Sequence, residues 1–144
     1  MLSLKVKKIV EDAIIPTYAT EGSAGFDLYS TDEVIINQSE RVLVSTGIAF
    51  DIPSDYEIQI RPRSGLASKF GITVLNSPGT IDSDFRGPVS VILYNSGHTS
   101  YRINKGDRIA QGVLARVDKA AFEEVDKLST TIRNGSGFGS TGVN

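Results

Sequence analysis

Three short stretches of this chain carry side chains that could do chemistry on an anion. Arg61-Pro62-Arg63-Ser64-Gly65-Leu66-Ala67 puts two guanidinium groups and a hydroxyl at the expected start of a helix. A helix N-terminus offers free N–H groups and partial positive charge, which suits phosphate, and Gly65 lets an anion approach the backbone. The same residues also make a capped helix with solvated arginines. Gly79 to Gly87 (GTIDSDFRG) holds Asp82 and Asp84 two apart. In extended backbone such residues point to one side, where they could serve a metal or a base. Without further context an ordinary Asp/Gly turn is the better account. The last stretch, Arg133 to Asn144 (RNGSGFGSTGVN), lacks the lysine of a phosphate-binding Walker loop. It does offer many backbone N–H groups, three hydroxyls, a cation and one aromatic ring. Its composition is that of a flexible terminus. Phe138 is odd there, because nothing nearby would bury it.

Other chemistries lack their residues. The chain has no cysteine, which excludes disulfides, thiol nucleophiles and cysteine-ligated zinc. His98 is the single histidine and sits in the turn Ser96-Gly97-His98-Thr99, so a Ser-His-Asp triad or a histidine-rich metal site is not expected. A net charge of −2 gives no global attraction to nucleic acid or an anionic membrane. An anionic ligand therefore needs a local cluster of basic groups. No apolar run approaches a membrane span, and Met1 to Lys8 has no signal-peptide core, so a cytoplasmic protein is expected.

The elements that must position these residues are short strands. Tyr56, Ile58 and Ile60 alternate with Glu57, Gln59 and Arg61, a period of two. Pro88 to Asn95 and Arg41 to Phe50 are rich in β-branched residues. Shorter strands are expected at Leu4 to Ile9, Val34 to Ile36, Ile72 to Leu75, Tyr101 to Ile103 and Ile109 to Val117. Turn residues separate them: Pro53-Ser54-Asp55, Asn95-Ser96-Gly97 and Asn104-Lys105-Gly106-Asp107. Many short strands at this spacing predict an all-β sandwich, jelly roll or barrel. One helix is expected over Ser64 to Gly71, with Ser64 as N-cap, Gly71 as C-cap and Leu66, Ala67 and Phe70 as its buried stripe. At 144 residues there is room for one domain, here residues 1–132, followed by the arm 133–144.

Taken in order along the chain, five segments resemble the five motifs of the homotrimeric dUTPase family. They are Ala24 to Ser30 (AGFDLYS), Arg63 to Ala67 (RSGLA), Gly79 to Gly87, Gly106 to Gln111 (GDRIAQ) and Arg133 to Gly142. The likeness runs from about Pro16 to the C-terminus. It implies a distorted β-barrel or jelly roll and a homotrimer with active sites at its subunit interfaces. It also implies Mg²⁺-assisted hydrolysis of dUTP to dUMP and pyrophosphate, which limits uracil in DNA and supplies dUMP for dTMP synthesis. Asp82 matches the general base that deprotonates the water attacking the α-phosphorus, and Gln111 its helper. Asp27 matches a residue that contacts Mg²⁺ through water. Arg63, Ser64 and Gly65 match the phosphate-binding helix start. Asn76 matches the start of a uracil-reading hairpin, with Gly79 and Thr80 also on the substrate side. Phe85 stands where the family usually has tyrosine under the deoxyribose. Arg133, Phe138, Gly139, Ser140 and Thr141 match the arm that closes over the nucleotide, with Phe138 stacking on uracil. No direct nucleic-acid or membrane partner is implied.

The sequence departs from that pattern in a few places. Phe85 lacks the usual hydroxyl but keeps the packing ring. Asn134 and Ser136 occupy glycine positions, so arm closure is costlier if either needs positive φ; Asn tolerates that region better than Ser. Arg61-Pro62 and Pro88 also differ from the common residues, with no function attached. Two further readings share the fold: a dCTP deaminase-like enzyme, and a non-catalytic nucleotide sensor. The RSGLA run and the FGSTG run favour the hydrolase. Retention of Asp82, Gln111 and the arm argues against a sensor role alone.

Overall fold

Alternation of inward apolar and outward polar side chains organises the molecule. In the strand Tyr56–Arg61, Ile58 and Ile60 are buried while their neighbours are partly or fully exposed. A computed structural model describes residues 1–144. Eleven strands and one helix follow in chain order. The strands are β1 (Lys5–Lys8), β2 (Phe26–Tyr29), β3 (Val34–Ile36), β4 (Arg41–Ser45), β5 (Ile48–Asp51), β6 (Tyr56–Arg61), β7 (Ile72–Val74), β8 (Gly79–Ile81), β9 (Ser90–Asn95), β10 (Tyr101–Ile103) and β11 (Arg108–Arg116). The helix, α1 (Ser64–Phe70), lies between β6 and β7.

All seven strand pairings are antiparallel. They form a four-stranded sheet in the order β2-β11-β6-β8, a three-stranded sheet β4-β9-β7, and two ribbons, β1-β5 and β10-β3. Twenty buried residues, Leu28, Ile58, Leu93 and Ile109 among them, make one core between these layers. The architecture is the expected all-β, jelly-roll type with one short helix. Asn95 closes the three-stranded end: its buried amide donates to the carbonyls of Ile36 and Thr99, both at 2.8 Å. At the N-terminal side Lys105 donates to Asp12 at 2.6 Å and holds that carboxyl below the usual aspartate range.

Several expectations change in detail. The Arg41 to Phe50 run is two strands, because Thr46 and Gly47 (φ +66°) turn the chain between β4 and β5. A side chain on Gly47 would meet Val10, Thr31 and Ala13. Strands β2 and β8 lie outside the expected runs. Ser64 is the first helical residue rather than the N-cap. Arg63 occupies the cap with extended backbone, and no side chain caps the helix. The carbonyl of Arg63 takes the first helical bond, from Ala67 N at 3.0 Å. Gly71 does end the helix in the left-handed region (φ +69°). Of the expected stripe only Leu66 is buried; Ala67 and Phe70 are exposed. The helix packs against the barrel along one narrow line, and Phe70 leans instead on Tyr101, ring centroids 4.9 Å apart.

The last backbone bond into the barrel runs from Val117 N to the Asp55 carbonyl, at 2.9 Å. Beyond it, residues 118–144 bond only among themselves. Phe122, Val125, Leu128, Ile132 and Phe138 stand exposed along this segment.

Candidate active site

Three strands of the larger sheet bring the first group of residues together. In the β11–β2 ladder Gln111 faces Asp27, and in the β11–β6 ladder it faces Arg61. Opposed residues in antiparallel strands point to the same side, so Asp27, Gln111 and Arg61 form one row on the outer face. Pro62 then ends β6, and α1 starts two residues later.

Asp27 is the electrostatic centre of this row. Arg63 Nε lies 3.1 Å from its Oδ1, and Arg108 from the start of β11 lies 3.4 Å from its Oδ2. Asp27 and Arg63 are both mostly shielded, with side chains 20% and 27% exposed. One carboxylate thus faces two guanidinium groups. Arg61, whose partner is the neutral amide of Gln59 at 2.7 Å, adds a third cation nearby. The cluster carries surplus positive charge beside a helix start, which suits a polyanion. Ser64 makes no side-chain hydrogen bond within the chain, and Gly65 is open where a side chain would stand. Both therefore remain free for a ligand.

Gln111 is held from behind. Its Nε2 donates to the Pro62 carbonyl at 2.9 Å, which leaves the amide oxygen as the free acceptor. A side chain on Gly25 would collide with that oxygen. This gives Gly25 a steric reason to be glycine.

The second group lies at the other end of the sheet. Leu75 to Pro78 connects β7 to β8 as a tight loop, with Ser77 N bonded to the Val74 carbonyl at 3.1 Å. Asn76 is exposed at its tip. Gly79 opens β8 so close to β6 that a Cβ there would sit 3.1 Å from that of Ile60. Thr80 points outward, and Asp82 follows β8 directly. Asp82 to Phe85 is a turn closed by Phe85 N to the Asp82 carbonyl at 3.2 Å, not the extended segment that the i, i+2 reading required. Asp82 and Asp84 nevertheless line the same open cleft, of about 410 Å³, with Tyr56, Glu57 and Lys119. Arg86 anchors the turn: its NH1 donates to the Ser83 carbonyl and its NH2 pairs with Asp51 at 2.8 Å. Phe85 is half exposed, and its ring overlies Gly87, where a Cβ would come 2.6 Å from Cζ.

These two groups do not meet within one chain. Ile81 faces Ile58, so Asp82 falls level with Glu57, whereas Gln111 is level with Arg61 two strands away. Four residues along the strand and two strand spacings across place their backbones about 16 Å apart. The third group, Arg133, Phe138, Gly139, Ser140 and Thr141, touches neither. Phe138 is fully exposed, and the segment is a train of turns: Ser136 N to Arg133 O, Ser140 N to Gly137 O, Gly142 N to Gly139 O. Nor do three side chains of metal-binding type converge anywhere in the chain.

The dUTPase family model matches residues 11–142. The chain belongs to the dUTPase family. Over 98% of its length it is 55% identical to the deoxyuridine 5'-triphosphate nucleotidohydrolase of Nautilia profundicola, covering 99% of that protein. Against the enzyme of the same name from Hydrogenobaculum sp. it is 56% identical, with 99% of each chain covered. Among solved structures, the Staphylococcus bacteriophage 80alpha dUTPase with dUPNHPP superposes with a TM-score of 0.93 at 27% identity, covering 99% of this chain and all of the phage chain.

Two parts of the Asp27–Gln111 cluster carry no local sequence signal. Arg108 lies inside the GDRIAQ segment, yet its pairing with Asp27 spans 81 residues and needs the β2–β11 register to exist. The Pro62 carbonyl that orients Gln111 carries no sequence signal at all.

Proposed function

We propose that this dUTPase hydrolyses dUTP to dUMP and pyrophosphate, with water attacking the α-phosphorus. The carrying observation is the row Asp27–Gln111–Arg61 beside the α1 start, where surplus positive charge, a free hydroxyl and an oriented amide share one face. On this reading Arg63, Ser64 and Gly65 bind the phosphates, and Gln111 holds the attacking water through its free amide oxygen. Asp82 takes the proton from that water. The Leu75 to Pro78 loop with Asn76, Gly79 and Thr80 reads uracil, and Phe85 packs under the deoxyribose. Removing dUTP keeps uracil out of DNA, and the product dUMP feeds dTMP synthesis. Work on a nucleotide pool is consistent with a cytoplasmic enzyme, and no helix is long and apolar enough to cross a membrane.

The residues fit Mg²⁺ as cofactor. This ion keeps several waters and needs only one or two carboxylates plus substrate phosphates, so a single carboxylate such as Asp27 suffices. When bound it would supply charge neutralisation for the triphosphate. Asp27, held by Arg63 and Arg108, would contact it through water.

The separation of roughly 16 Å between the backbones of Asp82 and Gln111 supports a site completed by another subunit, as a homotrimer would provide. The arm, residues 133–144, then acts as a lid on the barrel of residues 1–132. It brings Arg133 to the phosphates, Phe138 to the uracil face, and Gly139, Ser140 and Thr141 to the closed site. The tether from Asp118 makes no hydrogen bond to its own barrel, which leaves it free to extend toward a neighbour.

Incubation with each dNTP and with UTP under Mg²⁺, followed by pyrophosphate detection, tests the activity. Pyrophosphate from dUTP alone is the expected result. Ammonia from dCTP would point to the deaminase instead.

A further inference from the structure

Asn134 is one of three non-glycine residues with positive φ, at +44°. Asparagine tolerates this region better than most residues because its short polar side chain can bond locally. Here it does. Thr131 N donates to Asn134 Oδ1 at 2.9 Å, and Asn134 N donates back to Thr131 Oγ1 at 2.9 Å. The two bonds are reciprocal, in the manner of a capping box, and they close the chain around Ile132 and Arg133. Arg133 is fixed in the same turn. Its Nε donates to the Ser136 carbonyl at 2.8 Å, and Ser136 N donates to the Arg133 carbonyl at 3.1 Å. Ser136 itself does not need positive φ. None of these residues bonds to the barrel, so the turn forms from its own sequence.

We propose that Thr131 and Asn134 are positioning residues that preset the first turn of the arm and so aim Arg133 before substrate arrives. A glycine at 134 would reach the same backbone but lose more freedom on ordering and supply no side-chain acceptor. Asparagine therefore makes closure cheaper, not costlier. The proposal rests on the reading of residues 133–144 as a lid. A preset turn helps ground state and transition state alike, so its loss raises KM and spares kcat.

The test uses full-length Thr131→Val, Thr131→Ser, Asn134→Ala and Asn134→Gly. Steady-state kinetics on dUTP is paired with trypsin cleavage after Arg133, titrated against the α,β-imido analogue of dUTP. Loss of one such bond weakens ordering roughly two- to tenfold. Thr131→Val, Asn134→Gly and Asn134→Ala should raise KM, and the analogue concentration for half-protection, by that factor, with kcat within about twofold. Asn134→Ala should be the worst, because alanine also resists positive φ. Thr131→Ser, which keeps the hydroxyl, should match wild type. Wild-type values for Thr131→Val overturn the proposal, and so does equal damage from Val and Ser. A chain ending after Ile132 separates the two readings. Full activity there would sink lid and turn together, while a dead truncation beside an unaffected Thr131→Val sinks the turn alone.

Discussion

Arg63 reaches across 36 residues of sequence to place its Nε 3.1 Å from Asp27 Oδ1. The pair is mostly shielded, yet Arg63 spends only one edge of its guanidinium on the carboxylate and directs NH1 to the Arg108 carbonyl at 3.4 Å. Asp27 thus orients a cation rather than quenching it. Lysine at 63 would keep the charge but lose the planar fork that can bind carboxylate and phosphate together.

Arg63→Lys should therefore raise KM for dUTP roughly ten- to hundredfold, the cost of charge-assisted bonds to the phosphates. Melting temperature should change little, because β2 and β11 remain paired by backbone bonds. Steady-state kinetics beside thermal melts checks this. An unchanged KM would remove Arg63 from the phosphate site.

The Phe85 ring sits on Gly87, and the two act as one surface. The ring should leave little room for a ribose 2′-OH. An apolar surface rejects an added hydroxyl by about a hundredfold, so kcat/KM for UTP should fall below that for dUTP by about this factor. Gly87→Ala should push the ring outward and erode the ratio, without backbone strain, since Gly87 does not have positive φ. Comparable kcat/KM for UTP and dUTP in the wild-type enzyme would take this role from Phe85.

Where local physics decides, the fold was legible. Tyr56–Arg61 and Ser90–Asn95 alternate strictly or carry β-branched runs, and both are strands. Phe26–Tyr29 and Gly79–Ile81 were not legible. Their strand character comes from pairing with β11 and β6, not from Asp27 or from a glycine start, which weaken β-propensity. The helix cap misled for a related reason. Arg63 has extended backbone after Pro62 and takes the cap position, which frees the Ser64 hydroxyl for a ligand. The site residues were legible only as an ordered set of motifs. Nothing in spacing alone tells that Asp27 meets Gln111 while Asp82 stands far from both.

Asp82→Asn keeps the shape of the turn, since Phe85 N bonds to the backbone carbonyl of residue 82 and not to its side chain. It cannot accept the proton from the attacking water. Turnover should drop by roughly 10²–10⁴-fold, the usual cost of losing a general base. Binding of a non-hydrolysable dUTP analogue should persist, as calorimetry can measure. Near wild-type turnover would make the base some other group.

The separation of Asp82 from Gln111, with an arm that bonds to nothing in its own barrel, predicts complementation between two inactive chains. One is Asp82→Asn with its arm intact. The other keeps Asp82 and stops after Ile132, so it retains the tether from Asp118 but not Arg133 or Phe138. Each chain assembled alone should be nearly inactive, because in the proposed homotrimer every site lacks one part. If the Asp82 and the arm of one site come from different subunits, co-refolding equal amounts restores some sites. Random assembly of a cyclic trimer gives roughly a quarter of sites whole, because each of the two contributing positions is right half of the time. If instead both parts of a site belonged to one chain, no mixture could assemble it. Native mass spectrometry would first establish that mixed trimers had formed. Activity that then stays at the level of the separate chains would rule out an arm working in trans to Asp82, and recovery near a quarter of wild type would fix the minimum unit of catalysis at two subunits.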